Sequence, residues 1–434
     1  MTMRRTGTKR AGAATHASPL ANRTYRRLFG AQVIALVGTG LTTVALSLLA
    51  YDLAGGGAGA VVGIALALKM VVYVFGSPLL VALTARLPRR RVLVGLDLLR
   101  AGTVAAMPFV TEVWQVYVLI VLVNAGSAGF TPTFQATIPD VLPDEPTYTR
   151  ALSLSRLAYE LEALLSPALA ALLLAFVTYD GLFAANGVAF LASAALVLSA
   201  SVPARRAAPV GAEPWRERLT GGIRRYLATP RLRGLLALNV AAAAASATVI
   251  VNSVVYVRDL FGRDAGDVAW ALGASGAGAM VVALALPKLL ERVSDRPVML
   301  AGGGLLALAL AAASLVGGFA SLVAVWVAIG AGLSLVQTPA GRLIARSGDE
   351  RERPGLFAAQ FSLSHLGWLL TYPLAGVVGT LLGLSATALL LAAVAAVATV
   401  VAAIVWPAGD GAARTERRPR RPRAAHRGRP LARV

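Results

Sequence analysis

The sequence predicts an all-α membrane protein of twelve transmembrane helices arranged as two pseudo-symmetric six-helix bundles. Three observations carry that expectation: an apolar composition, a one-sided placement of cations, and a repeat of the chain upon itself. Of the 434 residues, 57% are hydrophobic and only 14% charged, with mean hydropathy +0.69. A soluble protein carries about 25% charged residues, and a helix needs roughly 20 apolar residues to cross a bilayer. Runs such as Leu384–Val405 and Val298–Leu315 have no polar face to turn to water, which argues against one large soluble core.

Hydropathy and loop breakers place the spans near residues 28–53, 58–83, 92–111, 114–138, 147–178 and 181–201, then 231–257, 267–290, 298–316, 319–344, 355–379 and 383–406. The basic segment 1–27 leads into a first apolar run too long for a secretory signal core, so it reads as a cytoplasmic tail before an uncleaved helix. Residues 28–202 and 231–406 then form the two bundles. In the linker 203–230, Trp215, Leu219, Ile223, Tyr226 and Leu227 recur at helical spacing among Arg216, Arg218, Arg224 and Arg225. That pattern predicts an amphipathic helix lying on the membrane surface. Residues 407–434 carry nine arginines with prolines and no apolar period, which predicts a disordered basic tail.

Of the 41 lysines and arginines, 36 fall in the two tails and in segments 86–91, 150, 205–233, 288–296 and 342–353. The positive-inside rule therefore puts both termini in the cytoplasm and the protein in the inner (plasma) membrane. The net charge of +20 is spread over loops between apolar spans, a distribution that points to a lipid bilayer and not to nucleic acid. There is no cysteine, which excludes disulfides, thiol catalysis and cysteine metal sites.

The chain repeats itself at a nearly constant offset. Asp52-Leu53 recurs as Asp259-Leu260 and Thr131-Pro132 as Thr338-Pro339, both 207 residues on. Ser166-Pro167 recurs as Tyr372-Pro373, and Arg86 and Arg90 as Arg292 and Arg296, 206 residues on. Parallel six-helix repeats place a solute site between the halves near mid-bilayer.

An ionisable side chain inside a span costs about 2.5–3.5 kcal/mol at the helix centre, so each needs a reason. Lys69 lies near the middle of the second span. Glu160 and Glu162 lie at similar depth in the fifth, with Arg156 one turn before Glu160, and His365 lies in the eleventh. Arg156 and Glu160 can pair along one helix face. Glu162 points about 200° away from Glu160, so the two carboxylates face different surroundings. Lys69 is the expected partner of whichever faces the cavity, and His365 titrates in the range where a proton switch works. Gln337, beside Thr338-Pro339, joins this candidate set because the proline frees a backbone carbonyl there. Fixed ion pairs that only hold helices together are the competing reading of each charge. Asp97 and Arg100 suggest a conformational latch with the Arg86–Arg91 loop, with a static pair as the alternative.

The loop after the second span reads Val81-Ala82-Leu83-Thr84-Ala85-Arg86-Leu87-Pro88-Arg89-Arg90. It resembles the marker Gly-x-x-x-Asp-Arg-x-Gly-Arg-Arg of the major facilitator superfamily at Arg86, Arg89 and Arg90, while Ala85 replaces the latch aspartate. The pseudo-repeat copy, Glu291-Arg292-Val293-Ser294-Asp295-Arg296, keeps an acid–arginine pair, so Glu291 and Arg292 join the latch candidates. The stretch Thr131–Pro167 resembles an exporter branch that includes macrolide and siderophore efflux proteins. Lys69-Met70 and Ala358–Pro373 resemble nickel-resistance exporters, but the tail has only His426 where those carry many histidines.

The resemblance implies a secondary active transporter, a proton-coupled exporter of a small drug-like or siderophore-like solute, acting as a monomer without a cofactor and driven by a proton gradient. A divalent-metal exporter is the alternative within the fold, and a non-transporting sensor or lipid-handling protein the alternative outside it. The helices 2, 5, 8 and 11 meet where the halves of such proteins join. An ATP-driven pump is excluded because Lys9, Lys69 and Lys288 all lack a Gly-Lys-Ser/Thr context. Three isolated histidines likewise cannot make His-Glu-x-x-His, and no enzymatic site is expected.

Overall fold

The computed structural model describes residues 18–54, 57–203 and 214–409. The expected N-terminal tail up to residue 17, the linker stretch 204–213 and the C-terminal tail from residue 410 lie outside the described residues. Every regular element described is helical. The first half comprises α1 (Arg23–Ala54), α2 (Val61–Thr84), α3 (Arg89–Phe109), α4 (Val113–Val141), α5 (Glu145–Leu174) and α6 (Tyr179–Ser199). A short helix α7 (Trp215–Ala228) precedes the second half: α8 (Pro230–Leu260), α9 (Gly266–Leu290), α10 (Asp295–Ala313), α11 (Phe319–Ala345) and α12 (Arg353–Val405).

Ten of these helices are long and apolar enough to cross a membrane, and bent α5 makes eleven, where the sequence predicts twelve. The difference has two physical sources. α5 bends by 41° at residue 167, where proline supplies no backbone N–H to the helix. α12 runs as one element of 53 residues but is interrupted at Gly383, whose φ of 83° no other residue type adopts cheaply. A straight helix of that length would reach about 80 Å. Instead both ends of α12 lie together. Arg353 at its start pairs with Asp140, and the carbonyl of Trp406 at its end accepts from Arg296 Nε at 2.8 Å.

Helix starts follow local chemistry. Asp144 caps α5 by accepting from the Thr147 N–H at 3.1 Å, and Asp264 caps α9 through the Gly266 N–H at 2.9 Å. Within each half, α1 packs on α5 and α6 as α8 packs on α12; α3 meets α4 and α6 as α10 meets α11 and α12. The halves meet along two seams, α5 against α9 and α2 against α12. Small residues set these approaches, since apolar tails of lipid remove the hydrophobic drive between helices and leave close packing to hold them. Large apolar side chains such as Phe109, Leu315 and Ile404 stay exposed around the body, as a lipid-facing wall requires.

α7 forms within the linker and is docked on protein. It packs on α12 and on the end of α2, so it touches both halves. Gly222 makes this possible: a Cβ there would come within 2.4 Å of the Gly355 carbonyl oxygen. Tyr226 is fully buried and donates its hydroxyl to Gln360, and burial pushes that hydroxyl's pKa up, so it stays a neutral donor.

Candidate functional site

Four of the intramembrane ionisable groups, Lys69, Arg156, Glu160 and His365, lie at the two seams. Arg156 on α5 forms an ion pair with Glu160 one turn on, and also donates to the Gln337 amide oxygen of α11. This guanidinium therefore bridges the halves. Glu160 turns toward α9, where a Cβ on Gly276 would lie 3.6 Å from its carboxylate. Glu162 turns toward α1 instead: it accepts from Ser166 Oγ at 3.1 Å and lies against Gly40, where a Cβ would come within 2.5 Å of it. The two carboxylates thus face different neighbours.

Lys69 makes no ion pair within 4.0 Å with either glutamate among the described residues. Its ammonium lies 5.6 Å from the Tyr73 ring centre. Tyr73 packs edge-on against His365 at 4.8 Å and against Phe361 at 4.9 Å, while His365 meets Trp368 at 4.7 Å. His365 Nδ1 lies 2.6 Å from the Phe361 carbonyl, so its tautomer is tied to its own helix. Lys69 and His365 are therefore joined through an aromatic wall at the α2–α12 seam. Tyr73 sits in a π-helical turn, Val72–Gly76, a distortion that concentrates at functional positions. Nothing in the hydropathy pattern marks it, although its place one turn beyond Lys69 could have.

Asp97 and Arg100 form the pair named above as the alternative to a latch with the Arg86–Arg91 loop. Both side chains are buried inside the first half, paired with each other, and Asp97 also accepts from Ser193 at 2.8 Å. The Arg100 guanidinium lies between the rings of Phe130 and Phe190, 4.3 and 4.4 Å from their centres. The i, i+3 spacing turns both groups into the core, away from the Arg86–Arg91 loop, and aromatic faces stabilise the cation there.

Of the loop cations, Arg86 and Arg292 are exposed, and Arg90 donates to the Leu198 carbonyl of its own half. Arg89 is engaged: it is buried, pairs with Asp140 and donates to the Glu350 carbonyl of the other half at 3.2 Å. Arg353 of the second half pairs with the same Asp140. At the pseudo-equivalent place Asp295 pairs with Arg342 and, at 2.6 Å, with Arg346, which also binds Glu145 of the first half. Asp295 and Arg346 each lie 206 residues beyond Arg89 and Asp140, with the charges exchanged. The first cluster is thus cation–anion–cation, while the second holds two anions and two cations, since Arg342 also reaches Glu145 at 3.4 Å. Glu291 reaches Arg150 across the seam at 3.8 Å. Ser77 Oγ adds a further tie to the Ala358 carbonyl at 3.5 Å. Asp140, Glu145, Arg342, Arg346 and Arg353 were not singled out from sequence; the 206-residue offset that flagged Arg86 and Arg90 would also have reached Arg89–Asp295 and Asp140–Arg346.

Comparison with known proteins agrees with this architecture. Residues 14–342 match the family described as transmembrane secretion effector. Macrolide efflux protein A of Streptococcus pyogenes is 25% identical over 154 residues, 34% of this chain and 37% of that protein. Its namesake in Enterococcus faecalis is 27% identical over 135 residues, 30% of this chain and 41% of that one. The chain thus matches under half the length of these curated relatives. Among solved structures, the human organic anion transporter MFSD10 (TETRAN) superposes with TM-score 0.76 at 14% identity, covering 88% of this chain and 99% of that one. The E. coli fucose:proton symporter FucP gives 0.67 at 13% identity, covering 90% and 100%. At such identities the structures establish the shared fold alone. With three quarters of its length matched, the chain belongs to the transmembrane secretion effector family of the major facilitator superfamily, as a multi-pass membrane protein.

Proposed function

We propose that the protein is a proton-coupled exporter of a small molecule that works by alternating access in the plasma membrane as a monomer. The observation that carries this reading is Arg156, a cation deep in α5 held by Glu160 of its own half and Gln337 of the other. A proton arriving on Glu160 removes the anion that orients Arg156, and with it the tie to Gln337. The halves are then free to part at that depth. Lys69 and the Tyr73–His365–Trp368 wall line the second seam, where a solute with an aromatic or apolar body meets a cation without an ion-pair partner nearby. Export is the direction suggested by the partial match to macrolide efflux proteins.

In this reading the charged clusters are the latch. Arg89, Asp140 and Arg353, with Glu145, Arg346 and Asp295, hold the cation-rich end shut while the other end is open. That end carries the positive-inside cations, so it faces the cytoplasm with both termini. Both ends of α12 sit there as well, which supports a turn at Gly383 and twelve crossings in two bundles of six.

The test is flux in proteoliposomes under an imposed pH gradient, with wild type, Lys69→Ala and Glu160→Gln. Loss of a charge-assisted bond worth about 1.5–3 kcal/mol lowers proton-driven flux roughly tenfold or more in Glu160→Gln. Coupling that survives in both variants would sink the proposed proton site.

A further inference from the structure

The α5–α9 seam contains a crevice of about 370 Å³, with Arg150, the first-half partner of Glu291, in its lining. Arg150, Leu154 and Leu157 follow one face of α5, at i, i+4 and i+7, and Leu284 and Pro287 supply the facing side on α9. Leu284 is 64% exposed although it sits in a membrane-spanning helix, so its surroundings are lipid. Leu157 lies about 18 Å along α5 from Glu145 in the latch, so the crevice runs from the charged end into the apolar body.

Its upper part is polar. Ser153 Oγ lines it, buried and with no hydrogen-bond partner among the described residues, an arrangement that costs free energy unless something is bound there. Pro287 leaves the Ala283 carbonyl without its usual helical donor. Arg150 lines the same part, Arg26 donates to the carbonyl of the lining residue Leu20 at 3.3 Å, and exposed Lys288 follows Pro287. Glu291 at the rim pairs with Arg150 at 3.8 Å, and the cations Arg150, Arg26 and Lys288 outnumber it.

We propose that the crevice is a binding site for an anionic phospholipid, with the phosphate at Arg150 and Ser153 and an acyl chain along Leu154, Leu157 and Leu284. Charge complementarity selects an anionic headgroup, and an apolar slot open to the bilayer selects a lipid over a soluble phosphate. The lipid touches both halves, so it binds best when they are apposed at this seam. On the alternating-access reading above, it therefore favours the state closed at the cation-rich end. The site itself does not depend on that reading.

The experiment is native mass spectrometry of the full-length protein in detergent, titrated with dioleoyl-phosphatidylglycerol and, separately, with dioleoyl-phosphatidylcholine. Wild type, Arg150→Lys and the exposed-loop control Arg292→Gln retain the anionic lipid in preference. Arg150→Gln loses that preference roughly fivefold, the weight of one cation at a lipid surface. Leu284→Trp, a change at an exposed position that leaves folding intact, fills the slot and lowers retention of the anionic lipid. Equal retention of the two lipids by wild type, or undiminished retention of the anionic lipid in both Arg150→Gln and Leu284→Trp, overturns the proposal.

Discussion

Gly330 and Gly278 stand where single atoms decide whether α9 and α11 can touch. A Cβ on Gly330 would come within 1.8 Å of the Ser275 carbonyl oxygen, and one on Gly278 within 2.1 Å of that of Val327. Both contacts are backbone, so neither can yield by a rotamer change. Gly330→Ala is expected to cost about 1–3 kcal/mol, as overpacking does, and to lower the thermal midpoint in detergent by several degrees. Gly304→Ala, where nothing lies within 4 Å, is the matched control and leaves it unchanged. Equal midpoints for the two variants would refute the packing argument. The same scale explains what could be read from sequence. Lys69, Arg156, Glu160 and His365 stood out because an ionisable group in an apolar run is costly and needs a partner. Asp140, Glu145 and Asp295 did not, because at helix ends a charge costs little and looks like any loop residue. Their partners lie up to 213 residues away, and only the fold brings them together.

Between elements, the proposed latch and α7 both lie where the halves meet. Asp140 on α4 accepts from Arg89 and Arg353 at once, so Asp140→Asn removes the anion that two buried or half-buried cations share. Breaking such a pair costs about 3–5 kcal/mol in the state that contains it, enough to shift a two-state equilibrium toward opening at this end. The native chain has no cysteine, so Ser77→Cys gives a clean reporter where α2 meets α12. Labelling of that reporter by a soluble maleimide rises in the Asp140→Asn background, and an unchanged rate would remove Asp140 from the latch. A double-mutant cycle between Asp140 and Arg353 then isolates their coupling. The amphipathic period of 215–228 was legible as a helix, but its docking was not. An apolar stripe fits lipid and protein equally well, and the deciding feature is the contact of Gly222 with Gly355.

For the whole molecule, parity is the sharpest check. Asn22, just before α1, donates to the Val141 carbonyl at 3.3 Å at the latch end, where Trp406 also lies. With the start of α1 and the end of α12 on one side, the number of crossings between them is even. Reporter fusions after Gly262, Gly383 and Trp406 are therefore expected to read outside, outside and inside. An inside reading at Gly383 would mean that the residues of α12 before it do not cross.

The exchange of signs between Arg89–Asp140 and Asp295–Arg346 limits which halves can be paired. Place two copies of the first half against each other and Glu145 of one meets Asp140 of the other, acid against acid. Two copies of the second half set Arg353 against Arg346. Only one of each puts opposite charges across both contacts, and like charges so juxtaposed cost several kcal/mol. A tandem chimera of identical halves would fold its bundles and still fail to shut.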